Sequence, residues 1–227
     1  MCGRYVLKAT LPDIARMLGM DVDPGVALEP SYNIAPTTLV PACRMDPAGG
    51  RALARLRWGL TPHWAKKADG AYRMINARAE TVAEKPAFRE PFRRRRCLIP
   101  ADGYYEWKTM EGRKQPYYFT MKNGDPFCFA GLWERWQPAE GDAVESCAII
   151  TTNANALASR IHHRMPVIVE RADYGRWLDS GATPPHEALS LLKPYAGEEL
   201  TCYPVSTTVN NARNNEPRCI TPLADPA

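Results

Sequence analysis

The shortness of its apolar runs constrains this sequence most, because each run is soon broken by a glycine, a proline or an asparagine. Between Arg51 and Trp58, Leu53 and Arg55 face opposite to Ala54 and Leu56, which is the two-residue period of a half-buried strand. Trp58-Gly59-Leu60-Thr61-Pro62 ends it. Comparable segments lie at 97–100, 104–108, 117–121, 127–133, 147–152 and 166–169, with turn sequences such as Asn123-Gly124 between them. Helical spacing is scarcer. Leu11, Ile14, Ala15 and Leu18 share one helical face after a short strand from residue 5, with Thr10 and Asp13 placed as a capping box and Pro12 in the first turn. Shorter helices suit 155–161, 173–179 and 186–192, and 74–80 leads into another. Residues 21–38, rich in proline, aspartate and asparagine, read as a long irregular segment. A βαβαβ alternation is absent, as are GxGxxG and P-loop sequences. The pattern predicts an α+β fold dominated by antiparallel, barrel-like sheet with peripheral short helices.

No Ser/Gly-rich linker or internal repeat divides the 227 residues, so one domain over 1–227 is expected, with its core at about 2–222 and a short C-terminal tail. Lys8, Asp13 and Arg16 interrupt the N-terminal apolar residues, which excludes a signal peptide, and no run approaches the ~18 apolar residues of a membrane span. A cytoplasmic protein without membrane contact is expected. Seven cysteines, an odd number without a CxxC pair, suit a reducing compartment and do not make a zinc site, so neither metal nor other cofactor is expected. The net charge is only +4, yet Arg89 and Arg93 to Arg96 are crowded together before Cys97. Such a run fits either a polyanion partner or a solvated turn or helix face, and net charge does not separate the two.

The chemistry begins at Cys2. Removal of Met1 would make its amine and thiol a 1,2-aminothiol, in which nitrogen attacks an aldehyde and sulfur then closes a thiazolidine. An α-amino group titrates at about 7.7 to 8.0, so roughly a tenth is the neutral nucleophile at pH 7. Glu106 lies among aromatics in Ala101-Asp102-Gly103-Tyr104-Tyr105-Glu106-Trp107; it either faces water or is partly desolvated and shifted toward proton-transfer duty. Ile161-His162-His163-Arg164-Met165-Pro166 offers imidazoles just before an apolar strand, either as proton carriers or as a cationic helix C-cap. Trp58, Trp64 and Trp107 interleave with Arg4, Arg78 and Arg164 in a way that suits a single-stranded nucleic acid, although tryptophans also fill cores.

Several ordered blocks carry a resemblance. They are Met1-Cys2-Gly3-Arg4-Tyr5, Tyr32-Asn33-Ile34-Ala35-Pro36-Thr37, Arg57-Trp58-Gly59-Leu60, Ile75-Asn76-Ala77-Arg78-Ala79-Glu80-Thr81, the stretch from Cys97 to Trp107, Thr151-Thr152, His162-His163-Arg164-Met165-Pro166 and Pro204-Val205-Ser206 with Val209-Asn210-Asn211. In this order and from residue 2 to about 222, the chain resembles the SOS-response-associated peptidase (SRAP) family. The resemblance implies a DNA-damage protein that crosslinks covalently to abasic sites in single-stranded DNA, as a monomer associated with the nucleoid when bound. Met1 would be lost with the protein's own help. Cys2 would be the nucleophile, Asn76 and Glu106 would surround it, and His162 would shuttle protons at the sugar. Arg4, Arg78, Arg164 and Thr151 would contact phosphates or backbone, while Trp64, Trp107, Asn33 and Pro36 would shape the cleft. His163 stands where the family often has aspartate, a departure that bears on which histidine works. The alternatives are a cysteine-type peptidase or amidohydrolase using Cys2 as N-terminal nucleophile with His162 as base, and a non-covalent reader of modified bases.

Overall fold

A computed structural model describes residues 2–21, 28–67 and 74–223. Strand β1 (Tyr5–Leu7) leads into helix α1 (Leu11–Leu18), as the sequence pattern requires. The Thr10 hydroxyl accepts the Asp13 N–H, Pro12 occupies the first turn, and Gly19 closes the helix at φ 59° in the left-handed region. Leu11, Ile14, Ala15 and Leu18 form its buried face.

Two sheets share the remaining strands. The first is antiparallel throughout and runs β13 (Leu200–Pro204), β8 (Arg113–Met121), β7 (Gly103–Met110), β1, β2 (Ser31–Ile34). The second contains β3 (Leu39–Met45), β4 (Arg51–Trp58), β6 (Arg96–Ala101), β9 (Phe127–Trp136) and β10 (Val144–Asn153). Because β10 pairs with both β4 and β9, these five strands close on themselves as a barrel. Closure removes the exposed edges that an open sheet of this length would present. The short strands β5 (Asn76–Arg78), β11 (Arg164–Pro166) and β12 (Ile168–Val169) attach to β10 or β9. Two pairings are parallel, β10 with β4 and β10 with β5, in an otherwise antiparallel fold.

The main core lies inside the barrel and between the sheets. Tyr5 meets Trp58 and Phe129 edge-on, and Tyr104 stacks on Phe119 with ring centroids 4.7 Å apart. A smaller cluster on the other face of the first sheet gathers Val6, Tyr105, Tyr118, Val205, Val209 and Cys219. Gly103, where the chain passes from one sheet to the other, leaves no room for a side chain: a Cβ there would lie 2.3 Å from the Phe119 carbonyl oxygen.

Several local expectations are corrected. Residues 74–80, expected to lead into a helix, hold β5, where Asn76, Ala77 and Arg78 find a parallel partner in β10, and lead only into a 3-10 turn at Ala79–Thr81. Of 155–161 only a 3-10 turn at Ala158–Arg160 is helical. The helices near 173–179 and 186–192 are α3 (Tyr174–Leu178) and α4 (Pro185–Ser190), and the arginine run includes α2 (Arg89–Arg94). Within the supposedly irregular 21–38, Ser31–Ile34 is β2; residues 22–27 lie outside the described residues, as do Met1 and most of the C-terminal tail. The Asn123-Gly124 turn joins two sheets and makes no hairpin, whereas Glu111 and Gly112, at φ 46° and 78°, turn β7 into β8.

Candidate active site at the amino-terminal segment

The site is built where the chain starts. Cys2 is buried, its thiol directed at the Arg4 carbonyl oxygen 4.0 Å away. The same Arg4 oxygen accepts the Tyr105 N–H at 3.0 Å, and Val6 accepts the Asp102 N–H at 2.8 Å, so the first residues are stitched to β7. Period-two alternation along β7 turns Tyr104 and Glu106 to one face and Tyr105 and Trp107 to the other. Glu106 is consequently only 3% exposed, next to the amino-terminal segment, and the reading in which it faces water does not hold.

Asn76 arrives from β5, and its side-chain N–H donates to the Cys2 carbonyl at 2.9 Å. Its Oδ1 is buried without a protein partner, an acceptor available for an incoming hydroxyl or amine. His162 comes from the segment before β11. The Arg164 backbone N–H donates to His162 Nδ1 at 3.0 Å, which in the neutral ring leaves the proton on Nε2. The His163 ring stacks on it at 4.4 Å between centroids.

Electrostatics ties these groups together. Burial, and next the Glu106 carboxylate, push the Cys2 thiol far above its ordinary value against the opposing charge of the amino terminus, so the thiol is protonated near neutrality. Burial likewise raises Glu106, partly offset by the amino terminus and His163. His162 is lowered by burial and then by the charge of the amino terminus. His163, fully exposed, is lowered first by His162.

The residues expected to meet DNA divide into two sets. Arg4 is committed internally, to Asn33 Oδ1 at 2.8 Å and the Val209 and Asn210 carbonyls. Asn33 is buried and donates to Val209, Asn211 and Asn214. Thr151 is buried with its hydroxyl toward the Ala77 carbonyl. Arg164 is buried against Glu80, Asn153 and the Thr151 carbonyl. In this structure these four brace the walls. Arg78 and Trp64, in contrast, are exposed; Trp107 is half-buried with its indole N–H on Asn210 Oδ1 at 2.8 Å, and Pro36 is half-buried on the turn after β2. Asn210 and Glu80, which sequence reasoning did not single out, hold Trp107 and Arg164 in place; both lie inside the ordered blocks, which was the available signal. Among the described residues no group of histidines, cysteines and carboxylates could hold a metal, and no helix is long and apolar enough to cross a membrane.

Fold and site together define a mostly β, barrel-containing protein whose reactive groups are gathered around its own amino-terminal segment. A family model described as SOS response associated peptidase (SRAP) matches residues 1–212, and the chain belongs to that family. It is 43% identical over 222 residues to the abasic site processing protein YoqW of Bacillus subtilis (strain 168), covering 97% of this chain and 99% of that one. It is 35% identical over 222 residues to the abasic site processing protein HMCES of Xenopus tropicalis, covering 85% of this chain and 66% of the relative. A crystal structure of a Bacteroides thetaiotaomicron protein superposes with a TM-score of 0.88 at 29% identity, covering 98% of this chain and 100% of that one.

Proposed function

We propose that this protein serves the DNA-damage response by joining itself covalently to abasic sites in single-stranded DNA. The names of its relatives point to abasic sites. What supports the covalent reading is the Cys2 carbonyl held by Asn76 together with a buried acid, Glu106, whose charge is felt by the Cys2 thiol; His162 is the proton donor of this reading. Loss of Met1, in which the protein itself takes part, frees the Cys2 amine.

His162 donates a proton to open the sugar hemiacetal. The Cys2 amine adds to the C1 aldehyde, and the carbinolamine loses one water to give an imine. The Cys2 thiol then adds across the C=N bond, sulfur bonding to carbon and the proton passing through Glu106 to nitrogen, which closes the thiazolidine with net release of that one water. A protonated thiol favours this order, nitrogen before sulfur. A peptidase turning over external substrates would need an accessible thiolate, which burial and Glu106 both oppose. Arg78 holds phosphate, and Trp64 and Trp107 stack flanking bases, an arrangement incompatible with a continuous duplex. The protein acts as a monomer.

Met1-free protein mixed with a single-stranded oligonucleotide bearing one abasic site is expected to give a heat-stable species of lower mobility, at most one per protein. Equal yield from Cys2→Ala would refute the thiazolidine; multiple turnover of a peptide would favour the peptidase.

A further inference from the structure

After β4 the chain makes a turn over residues 61–65 that carries Trp64 at its tip, 57% exposed. Three side chains of the barrel wall grip this turn. Ser146 Oγ accepts the Thr61 N–H at 2.9 Å. The Glu134 carboxylate, 3% exposed, meets His63 Nδ1 at 3.0 Å. The Trp136 indole N–H donates to the Ala65 carbonyl at 2.6 Å. Glu134 and Ser146 face each other in the β9–β10 ladder and Trp136 lies two residues on, so the grips come from adjacent positions of one surface. Glu134 is itself fixed by Arg95 Nη2 at 2.9 Å and by the Arg135 N–H on its other oxygen at 2.9 Å.

Ending a strand requires no buried carboxylate, and desolvating one is unfavourable unless it is well paired. What this arrangement does accomplish is to fix the backbone on both sides of an exposed indole. A turn whose backbone is already fixed need not be ordered when a base settles on the indole it carries, so less of the stacking interaction is offset by lost freedom. We propose that His63, fixed by Glu134, is a positioning residue that presents Trp64 as a preorganised stacking platform for a base flanking the abasic site. The proposal rests on the single-stranded DNA reading above but not on its covalent step.

The test is therefore an equilibrium titration of the full chain with a single strand containing a tetrahydrofuran abasic analogue, which has no aldehyde. Trp64→Ala is expected to weaken binding about tenfold, the effect of losing one stacked base. His63→Ala removes only an exposed partner, so folding is preserved; it is expected to weaken binding about threefold on its own and not at all in the Trp64→Ala background, since residues acting as one unit are non-additive. Glu134→Gln keeps an acceptor for His63 and is expected to stay within about twofold of wild type. Additive losses for His63 and Trp64, or unchanged binding in either single variant, would overturn the proposal. Failure of heat-stable product with an intact binding cycle would remove the covalent reading and leave this one standing.

Discussion

Burial gives Glu106 two opposed consequences, one for stability and one for chemistry. Its carboxyl titrates above the ordinary 4.5 in the folded chain, chiefly through desolvation. The native state thus holds the proton to higher pH than the unfolded chain does, and stability falls as pH rises from the unfolded value toward the folded one. Glu106→Gln is expected to raise Tm at pH 7 and to leave it unchanged below about pH 4, where both states carry the proton. The same variant is expected to slow crosslink formation and reversal together. A lower Tm at pH 7 would contradict the desolvation of Glu106, and normal rates would remove it from the proton-transfer role. This residue was only half legible beforehand: its aromatic neighbours marked it, but alternation alone does not say which face of a strand is covered. The face was decided by the pairing of β1 with β7, a contact almost a hundred residues apart in sequence.

At the scale of elements, Arg78 and Arg164 separate two roles that look alike in sequence. Arg164 reaches from β11 to Glu80, Asn153 and the β10 backbone, so it joins three elements. Arg164→Ala is expected to lose about 2–3 kcal/mol of stability, the scale for several charge-assisted hydrogen bonds partly replaced by water, read as a fall in urea midpoint. Arg78 is exposed on β5. Arg78→Ala is expected to leave the urea midpoint unchanged and to reduce the salt slope of DNA binding by about one, so its deficit shrinks as salt rises. A deficit independent of salt would argue against a phosphate contact. Helix α1 could be read in advance because its cap, its face and its terminal glycine are all local. Strand β3 could not, since Pro41 argues against a strand. It is tolerated because β6 pairs with β3 only at Cys43, which leaves the N–H position of residue 41 unclaimed on that side. Strand β13 was equally hidden, its partner β8 lying some eighty residues earlier.

For the whole molecule, the α+β character and barrel-like sheet followed from the many short strands, while ring closure did not. Closure depends on β10 serving β4 and β9 at once, while β5 and β11 also pair with it, and no single stretch of sequence announces four partners. The barrel and the first sheet bring positions 2, 76 and 106 together, a meeting that only tertiary structure could supply. The central claim concerns what those positions do to an aldehyde. Intact mass after mixing the protein with a single strand carrying one abasic site measures it directly. The expected result is a protein lacking Met1 that gains the mass of the strand less one water, and a Cys2→Ala protein that gains nothing; an equal adduct on Cys2→Ala, or no adduct on the Met1-free wild type, would contradict it.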